Sequence, residues 1–384
     1  MARVLLLNDH PPAGGIGRYA RALYHALLAA DRGGLAIDLL IQNAPGRSDV
    51  ADWRGAGPEA AASRVLIQPR PPWAKPTGFG TMYQLNGYYR YPRRIPAGYT
   101  LYHASSQMMG ASARHAAPLV VTVHDVIAAR LARNHVGLAA VMRRRHLRAV
   151  TAARSLICSS EHTRREFLSL YQYPPDRCAV VHLGVAPVFS GGDRASARAA
   201  LGLAPDRPVL LHVGSEERRK NVETLLAALP RLARRRPDVL LVRVGGGSAR
   251  SRRLIARHGL AARVRYCSGL PETDLVRWYR AADAFVFPSL YEGFGLPVLE
   301  ALACGCPVVA GNATSLPEIV GDAALLVDDP LDPDALAGAI ERVLDDAALA
   351  AALRAAGPRR AAGFTWRRVA AETLAVYRRA LGAA

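Results

Sequence analysis

Short apolar runs alternate with longer mixed stretches from one end of the chain to the other. Residues 4–7, 37–41, 119–123, 155–158, 179–182, 209–213, 239–244, 284–287 and 307–309 are rich in Val and Leu and carry little polar alternation. Such runs predict strands covered on both faces, as in a parallel sheet. Between them, residues 17–29, 138–152, 163–171, 222–235, 272–282 and 297–303 read as helices. Strand–helix alternation over the whole length predicts an α/β protein with doubly wound parallel sheets.

The pattern starts twice. A strand at 4–7 leads to Ala13-Gly14-Gly15-Ile16-Gly17-Arg18-Tyr19, and a strand at 209–213 leads to Gly214. Between the two starts lies Ala186-Pro187-Val188-Phe189-Ser190-Gly191-Gly192-Asp193, which reads as a boundary. Two domains are expected, 1–190 and 191–365, and a length of 384 residues suits two α/β domains better than one. Residues 45–94 are irregular, with many prolines and tyrosines, and are expected to hold long loops on the cleft side of the first domain.

Composition narrows the class. Hydrophobic residues make up 51% of the chain, which supports a packed core in each half. No apolar run approaches the ~20 residues of a membrane span. Met1-Ala2-Arg3, the run 4–7 and Asn8-Asp9-His10 read as a first buried strand, because the apolar stretch is too short for a signal peptide. The five cysteines (Cys158, Cys178, Cys267, Cys304, Cys306) show neither disulfide-framework nor zinc-ligand spacing. A reducing, cytoplasmic setting with buried thiols is expected.

The net charge of +19 admits an anionic partner: nucleic acid, a phospholipid surface or a phosphorylated substrate. An arginine- and alanine-rich chain also acquires such a charge from base composition alone. Nucleic acid is not expected as a partner, since aromatic–basic interleaving and any reading module are missing from the sequence. Arg143-Arg144-Arg145 and Arg148 fit peripheral contact with an anionic membrane, although a solvated charged face is their commoner meaning.

The chemistry concentrates in Phe287-Pro288-Ser289-Leu290-Tyr291-Glu292-Gly293-Phe294-Gly295-Leu296-Pro297-Val298-Leu299-Glu300. A buried strand ends at Phe287, a loop with two glycines follows, and Pro297 suits the first position of a helix. Gly305 suits the left-handed cap at its far end. A strand, a glycine loop and a helix N-terminus together aim backbone N–H groups and a partial positive charge at one point, which suits a phosphate. Glu292 in the loop and Glu300, expected in the first helical turn, can accept hydrogen bonds from hydroxyls of one ligand. Either carboxylate by itself would be an ordinary surface or first-turn charge.

A second cluster, Gly214-Ser215-Glu216-Glu217-Arg218-Arg219-Lys220-Asn221, follows the strand 209–213. Cations at a helix start are unfavourable for the helix, so a bound anion is expected to offset them. Gly14, Gly15 and Gly17 let the backbone approach a ligand closely, although a packing turn looks the same in sequence. His124 and Asp125 end the strand 119–123, at the edge where open α/β sheets take their ligands.

Glu292 and Glu300, with seven residues between them, resemble the E-x7-E motif of a large family of retaining glycosyltransferases, group 1 or family 4, that includes many bacterial mannosyltransferases. Ala301-Leu302-Ala303-Cys304-Gly305-Cys306-Pro307-Val308-Val309-Ala310 and Leu316-Pro317-Glu318-Ile319 extend the likeness, which is strong through 208–332 and weak between 45 and 99. The resemblance implies a GT-B fold of two Rossmann-like domains facing a cleft that holds the donor, with a last helix, 366–384, crossing back onto the first domain. It implies a nucleotide-sugar donor, with GDP-mannose the first choice and UDP- or deoxysugar donors next. It further implies retention at the anomeric carbon with the leaving phosphate assisting on one face, no metal, and a glycan or lipid-linked glycan acceptor in cell-surface polysaccharide synthesis.

Under that resemblance Glu300 binds the ribose hydroxyls, and Glu292 contacts the donor sugar. The N–H groups of Phe294, Gly295 and Leu296 meet the diphosphate and sugar. Lys220, with Arg219, neutralises the leaving diphosphate beside Gly214. His124, with Asp125, borders the donor sugar, and Gly15 belongs to the first glycine loop. Ser215 departs from relatives that carry arginine there, so the phosphate role falls chiefly on Lys220. Two alternatives stay open, a nucleotide-sugar 2-epimerase of similar architecture and a basic nucleic-acid-binding protein. Asp332-Pro333-Asp334 reads as a helix cap and first turn rather than a metal pair, and Gly245-Gly246-Gly247 lacks the spaced dinucleotide fingerprint.

Overall fold

The computed structural model describes residues 2–10, 14–43, 53, 63–69, 95–107, 109, 118–127 and 150–382. The predicted helix 138–152, apart from its last three residues, lies outside them. So do Ala13, the arginines at 143, 144, 145 and 148, and most of the irregular segment 45–94. The chain divides into two compact units, Met1–Gly184 with Trp366–Ala384, and Val185–Thr365.

Among the described residues the first unit is built on seven strands: β1 (Arg3–Asn8), β2 (Ala36–Asn43), β3 (Val65–Pro69), β4 (Leu101–Ala104), β5 (Leu119–Val123), β6 (Ser155–Cys158) and β7 (Cys178–Val180). They lie in the order β3-β2-β1-β4-β5-β6-β7, every pairing parallel. Helix α1 (Gly15–Ala29) buries Tyr19, Leu23, Tyr24, Leu27 and Leu28 along one stripe, as an amphipathic helix on a sheet must. Helix α2 (Glu161–Leu170) starts at Ser160, whose hydroxyl accepts the N–H of Thr163 at 3.0 Å.

The C-terminal helix Trp366–Ala380 packs on α1, β5 and β6. It is pinned by a buried chain of hydrogen bonds. Tyr377 meets His103 Nδ1 at 2.6 Å, His103 Nε2 meets Thr122 at 2.8 Å, and Thr122 meets Tyr19 at 3.0 Å.

The second unit holds β8 (Val209–Val213), β9 (Leu240–Val244), β10 (Val264–Cys267), β11 (Ala284–Phe287), β12 (Val308–Gly311) and β13 (Leu325–Val327) in the parallel order β10-β9-β8-β11-β12-β13. Its helices are α3 (Arg194–Ala200), α4 (Val222–Arg235), α5 (Ala249–Arg257), α6 (Glu272–Ala281), α7 (Leu296–Ala303), α8 (Leu316–Val320), α9 (Pro333–Asp345) and α10 (Ala347–Ala361). Val222, Leu225, Leu226, Leu229 and Leu232 of α4 close over β8, β9 and β11 in one core cluster. Each such side chain contributes about 1.5–3 kcal/mol on burial.

Several expectations shift. Strands β3, β4, β10 and β13 were not marked by apolar runs. The strand expected at 179–182 is the shorter edge strand Cys178–Val180. Pro297 is the second residue of α7 after Leu296, so Glu300 falls in the second turn rather than the first. Gly305 does take the left-handed cap (φ 69), and its N–H and that of Cys306 bond back to Leu302 and Ala301 at 3.0 and 2.9 Å. Asp332 caps α9 by accepting the N–H of Asp334 at 2.8 Å. The cysteines are all free thiols, four of them buried. No helix among the described residues is long and apolar enough to cross a membrane.

Candidate functional site

In the second unit the chain leaves β8 toward β9 on one side and returns to β11 on the other. The loops after β8 and β11 therefore leave neighbouring strands at the point where the strand order reverses, the place where open α/β sheets bind ligands. The first loop runs from Gly214 to a tight turn at Arg218–Lys220 and then Asn221. Asn221 is left-handed (φ 53), a conformation Asn tolerates better than most residues. Its Nδ2 donates to the carbonyls of Pro288 (3.1 Å) and Pro330 (2.5 Å), tying this turn to the second loop.

The second loop carries Glu292 into the turn. Lys220 Nζ donates to Glu292 Oε1 at 2.7 Å, and Arg219 Nη1 to Oε2 at 3.2 Å. Ser289 Oγ donates to the same Oε1 at 2.6 Å. Lys220 and Glu292 are each only 7% exposed, and the ammonium also lies 4.8 Å from the centre of the Phe287 ring. Burial lowers the Lys220 pKa; Glu292 works against that and Arg219 with it. The cations expected to await an anion are thus already faced by a carboxylate of the protein. Arg219 is shared further, with Glu217 at 2.8 Å.

After Glu292 the loop enters α7 through Gly295, left-handed at φ 105, where a β-carbon would sit 2.7 Å from Leu316 Cδ2. The N–H groups of Gly295 and Leu296 have no partner among the described residues. Thr314 is left-handed too (φ 55), a costly conformation for a β-branched residue. Its hydroxyl accepts the Glu292 N–H at 2.9 Å, so the strain holds the acidic loop in place. Phe294 is buried and packs edge-on against Phe364 at 6.1 Å.

Glu300 is 1% exposed and accepts the hydroxyl of Tyr279 at 3.0 Å. The structure thus joins Glu292, Lys220 and Arg219 in direct contact, whereas Glu300 is seated apart, against α6. Behind Gly214, Glu216 accepts from Ser248 N–H (2.5 Å), Ser251 Oγ (2.7 Å) and Tyr266 OH (2.9 Å). Burial raises the Glu216 pKa, but those hydrogen bonds outweigh it and the net shift is downward. Gly245 (φ 142) passes so close that a β-carbon would lie 2.2 Å from the Gly214 carbonyl oxygen.

The first unit reverses its strand order between β1 and β4. His124 follows β5, and its Nε2 bonds the Ser105 carbonyl at 2.8 Å. A carbonyl only accepts, so Nε2 carries the proton and Nδ1 is left as an acceptor. Burial pushes the His124 pKa down to about 4, Ser105 opposes that and nearby His10 adds to it, so the ring is neutral near pH 7. Tyr19 stands edge-on to the ring at 4.7 Å. Gln107 accepts the His124 N–H at 3.1 Å and donates to the Asp125 carbonyl at 3.0 Å, while the Asp125 carboxylate accepts from Ile127 N–H at 3.1 Å. Gly15 opens α1, is exposed, and a β-carbon there would meet nothing within 4 Å, so internal packing gives no reason for glycine.

Ser289, Thr314, Tyr279 and Gln107 carry no site signal in the sequence. Asn221 does, as the last residue of Arg219-Lys220-Asn221, which resembles the family's phosphate clamp. Among the described residues, no group of three or more His, Cys, Asp or Glu is placed to hold a metal ion.

Residues 193–360 match the family described as "Glycosyl transferases group 1", and residues 13–189 match "Glycosyltransferase Family 4". Among curated proteins the chain is 35% identical to O-antigen chain mannosyltransferase B of Escherichia coli, over 59% of this chain and 61% of that protein, less than two thirds of its length. It is also 35% identical to D-inositol 3-phosphate glycosyltransferase of Thermobispora bispora, over 74% of this chain and 72% of that protein. Among solved structures, sucrose-phosphate synthase of Thermosynechococcus elongatus matches with a TM-score of 0.80 and 26% identity, covering 100% of both chains.

Proposed function

The chain belongs to the group 1, family 4 glycosyltransferases of GT-B fold, and from that premise we propose that it moves a hexosyl unit, with retention, from a nucleoside-diphosphate sugar to a hydroxyl. The observation that carries this reading is the Lys220–Glu292 pair beside the unpartnered N–H groups of Gly295 and Leu296, at the strand-order reversal of the second unit.

The bond from the anomeric carbon to the diphosphate oxygen breaks, and negative charge builds on the departing diphosphate. Lys220, Arg219 and the N–H groups at the start of α7 stabilise that charge, the kind of preorganised contact worth most in a dry site. Gly214, glycine at φ 150, leaves the backbone beside Lys220 open to a phosphate. Glu292 orients Lys220 and accepts hydroxyls of the sugar. Glu300, fixed by Tyr279, takes the ribose. Within the first unit, His124 Nδ1, with Asp125 and Gly15, offers an acceptor for a sugar hydroxyl at the carboxyl edge of that unit's own sheet. Because lysine, arginine and amides supply the positive charge, no divalent metal is required, and a chelator should leave the rate unchanged.

The first-choice donor is GDP-mannose and the acceptor a glycan or lipid-linked glycan, the reaction being cytoplasmic; the mannosyltransferase likeness supports this. The likeness to D-inositol 3-phosphate glycosyltransferases favours a second reading, a small phosphorylated polyol as acceptor. A thermal-shift panel of GDP-, UDP- and dTDP-sugars, followed by mass spectrometry of the products with and without acceptor, tests the proposal. Stabilisation by one class and glycosylated product support it. Epimerised donor, or stabilisation by none, overturns it.

A further inference from the structure

A cavity of about 270 Å³ opens in the first unit, lined by Arg154, Ser155, Asp176, Arg177, Val376 and Arg379, with Ala179 at its wall. Arg154 and Ser155 stand where β6 begins, Arg177 where β7 begins, and Val376 and Arg379 on the C-terminal helix. This is the amino edge of the sheet. His124 lies past the carboxyl end of β5, which pairs with β6 from Val120↔Ser155 to Val123↔Cys158. About four residues of strand, roughly 13 Å, therefore separate the cavity from the His124 edge.

None of the three guanidinium groups forms an ion pair among the described residues. In the second unit Arg194, Arg219, Arg231, Arg236 and Arg243 do form such pairs. Three solvent-exposed cations lining one concavity with a single carboxylate, Asp176, also exposed, repel one another and attract an anion. Planar guanidinium groups recognise phosphate oxygens in pairs. Asp176 and Ser155 add acceptors for hydroxyls. The volume lies just under the about 300–1,000 Å³ of ligand pockets, which suits one small polar molecule and leaves no room for a long apolar chain. The partial negative charge at the end of the C-terminal helix opposes an anion, so the arginines must carry the binding.

We propose that this cavity is a second anion site, which takes the phosphate monoester or diester of a small polyhydroxy compound and clamps the C-terminal helix to β6 and β7. Such a group is carried by a water-soluble sugar phosphate or by a phospholipid headgroup at a membrane surface. The site stands independently of the donor-binding residues.

Arginine labelling by phenylglyoxal, mapped by mass spectrometry on the full chain, tests it with inorganic phosphate as probe at constant ionic strength. At about ten times its dissociation constant, phosphate should slow labelling of Arg154, Arg177 and Arg379 about ten-fold, because only the unoccupied fraction reacts. Arg257, exposed like the three cavity arginines but outside the cavity, should label at an unchanged rate, and Lys220→Ala should leave the protection intact. The double variant Arg154→Gln/Arg379→Gln should lose protection at Arg177. A second arm replaces phosphate by vesicles of phosphatidylglycerol and phosphatidylcholine. Protection by phosphate alone assigns a soluble ligand, and protection by vesicles alone assigns a headgroup. No protection in either arm, equal protection at Arg257, or protection that vanishes with Lys220→Ala overturns the proposal.

Discussion

Glu292 faces two cations from within the protein, and its removal has a calculable cost. Glu292→Gln keeps the side chain's shape and its contact with Ser289 but deletes the charge 2.7 Å from Lys220. At an effective dielectric near 20, attraction at that distance is roughly 6 kcal/mol. Desolvation opposes it, since burial is the largest influence on Lys220 and lowers its pKa. A stranded lysine can also shed its proton, which caps the loss at about 5 kcal/mol at pH 7. Arg219, with its side chain 26% exposed, turns to water and adds little. We expect Glu292→Gln to destabilise the unit Val185–Thr365 by about 3 kcal/mol, and Lys220→Met by about 2 kcal/mol because Arg219 still faces the carboxylate. The double variant should cost about 3 kcal/mol rather than their sum, a coupling of about 2 kcal/mol. Native-state hydrogen exchange of β8 and β11 peptides reads this unit alone. Strictly additive losses would refute the coupling.

Three further outcomes follow from buried groups. Folded His103 and His124 resist protonation until about 3 and about 4, chiefly through burial. The unfolded chain therefore binds more protons below pH 6.5, and stability falls on acidification, by about 2 kcal/mol at pH 5 for His103 and less for the partly exposed His124. A urea midpoint unchanged between pH 7.5 and pH 5 contradicts this. Gly245→Ala, with its clash against the Gly214 carbonyl, should cost about 3 kcal/mol or more, whereas Gly246→Ala, with open space around it, should stay within about 0.5 kcal/mol; equal melting temperatures would count against the close approach. Tyr377→Phe strands the His103 ring nitrogen and should loosen the C-terminal helix by about 1–3 kcal/mol, read as faster exchange of its amides.

What the sequence made legible was local. The β8 run is apolar in four of its five residues and ends at Gly214, and the β11 run is wholly apolar and ends at Pro288, so strand, loop and helix start could be placed within a residue or two. Strand β4 could not, because its third residue is His103, a polar residue satisfied by Tyr377, 274 positions away. Strand β3 turns Ile67 to solvent at 46% exposure and so lacks a continuous apolar run. Helix α5 is mostly arginine and serine, with Ser251 buried and only Leu254 and Ile255 half-buried against the core, too short an apolar face to stand out. At the site, Lys220 and Arg219 stand out in the sequence as cations awaiting an anion, and Glu292 separately as an acceptor for hydroxyls. Their contact with one another spans 72 residues, and the hold of Thr314 on the acidic loop spans 22. Neither leaves a mark in periodicity or motif.

The central claim is that Lys220 meets the departing diphosphate. Single-turnover transfer by Lys220→Met, with the nucleotide sugar that most stabilises the protein, tests it most directly. The rate should fall about 100- to 1,000-fold while the variant stays folded. Wild-type turnover by that variant would contradict the account.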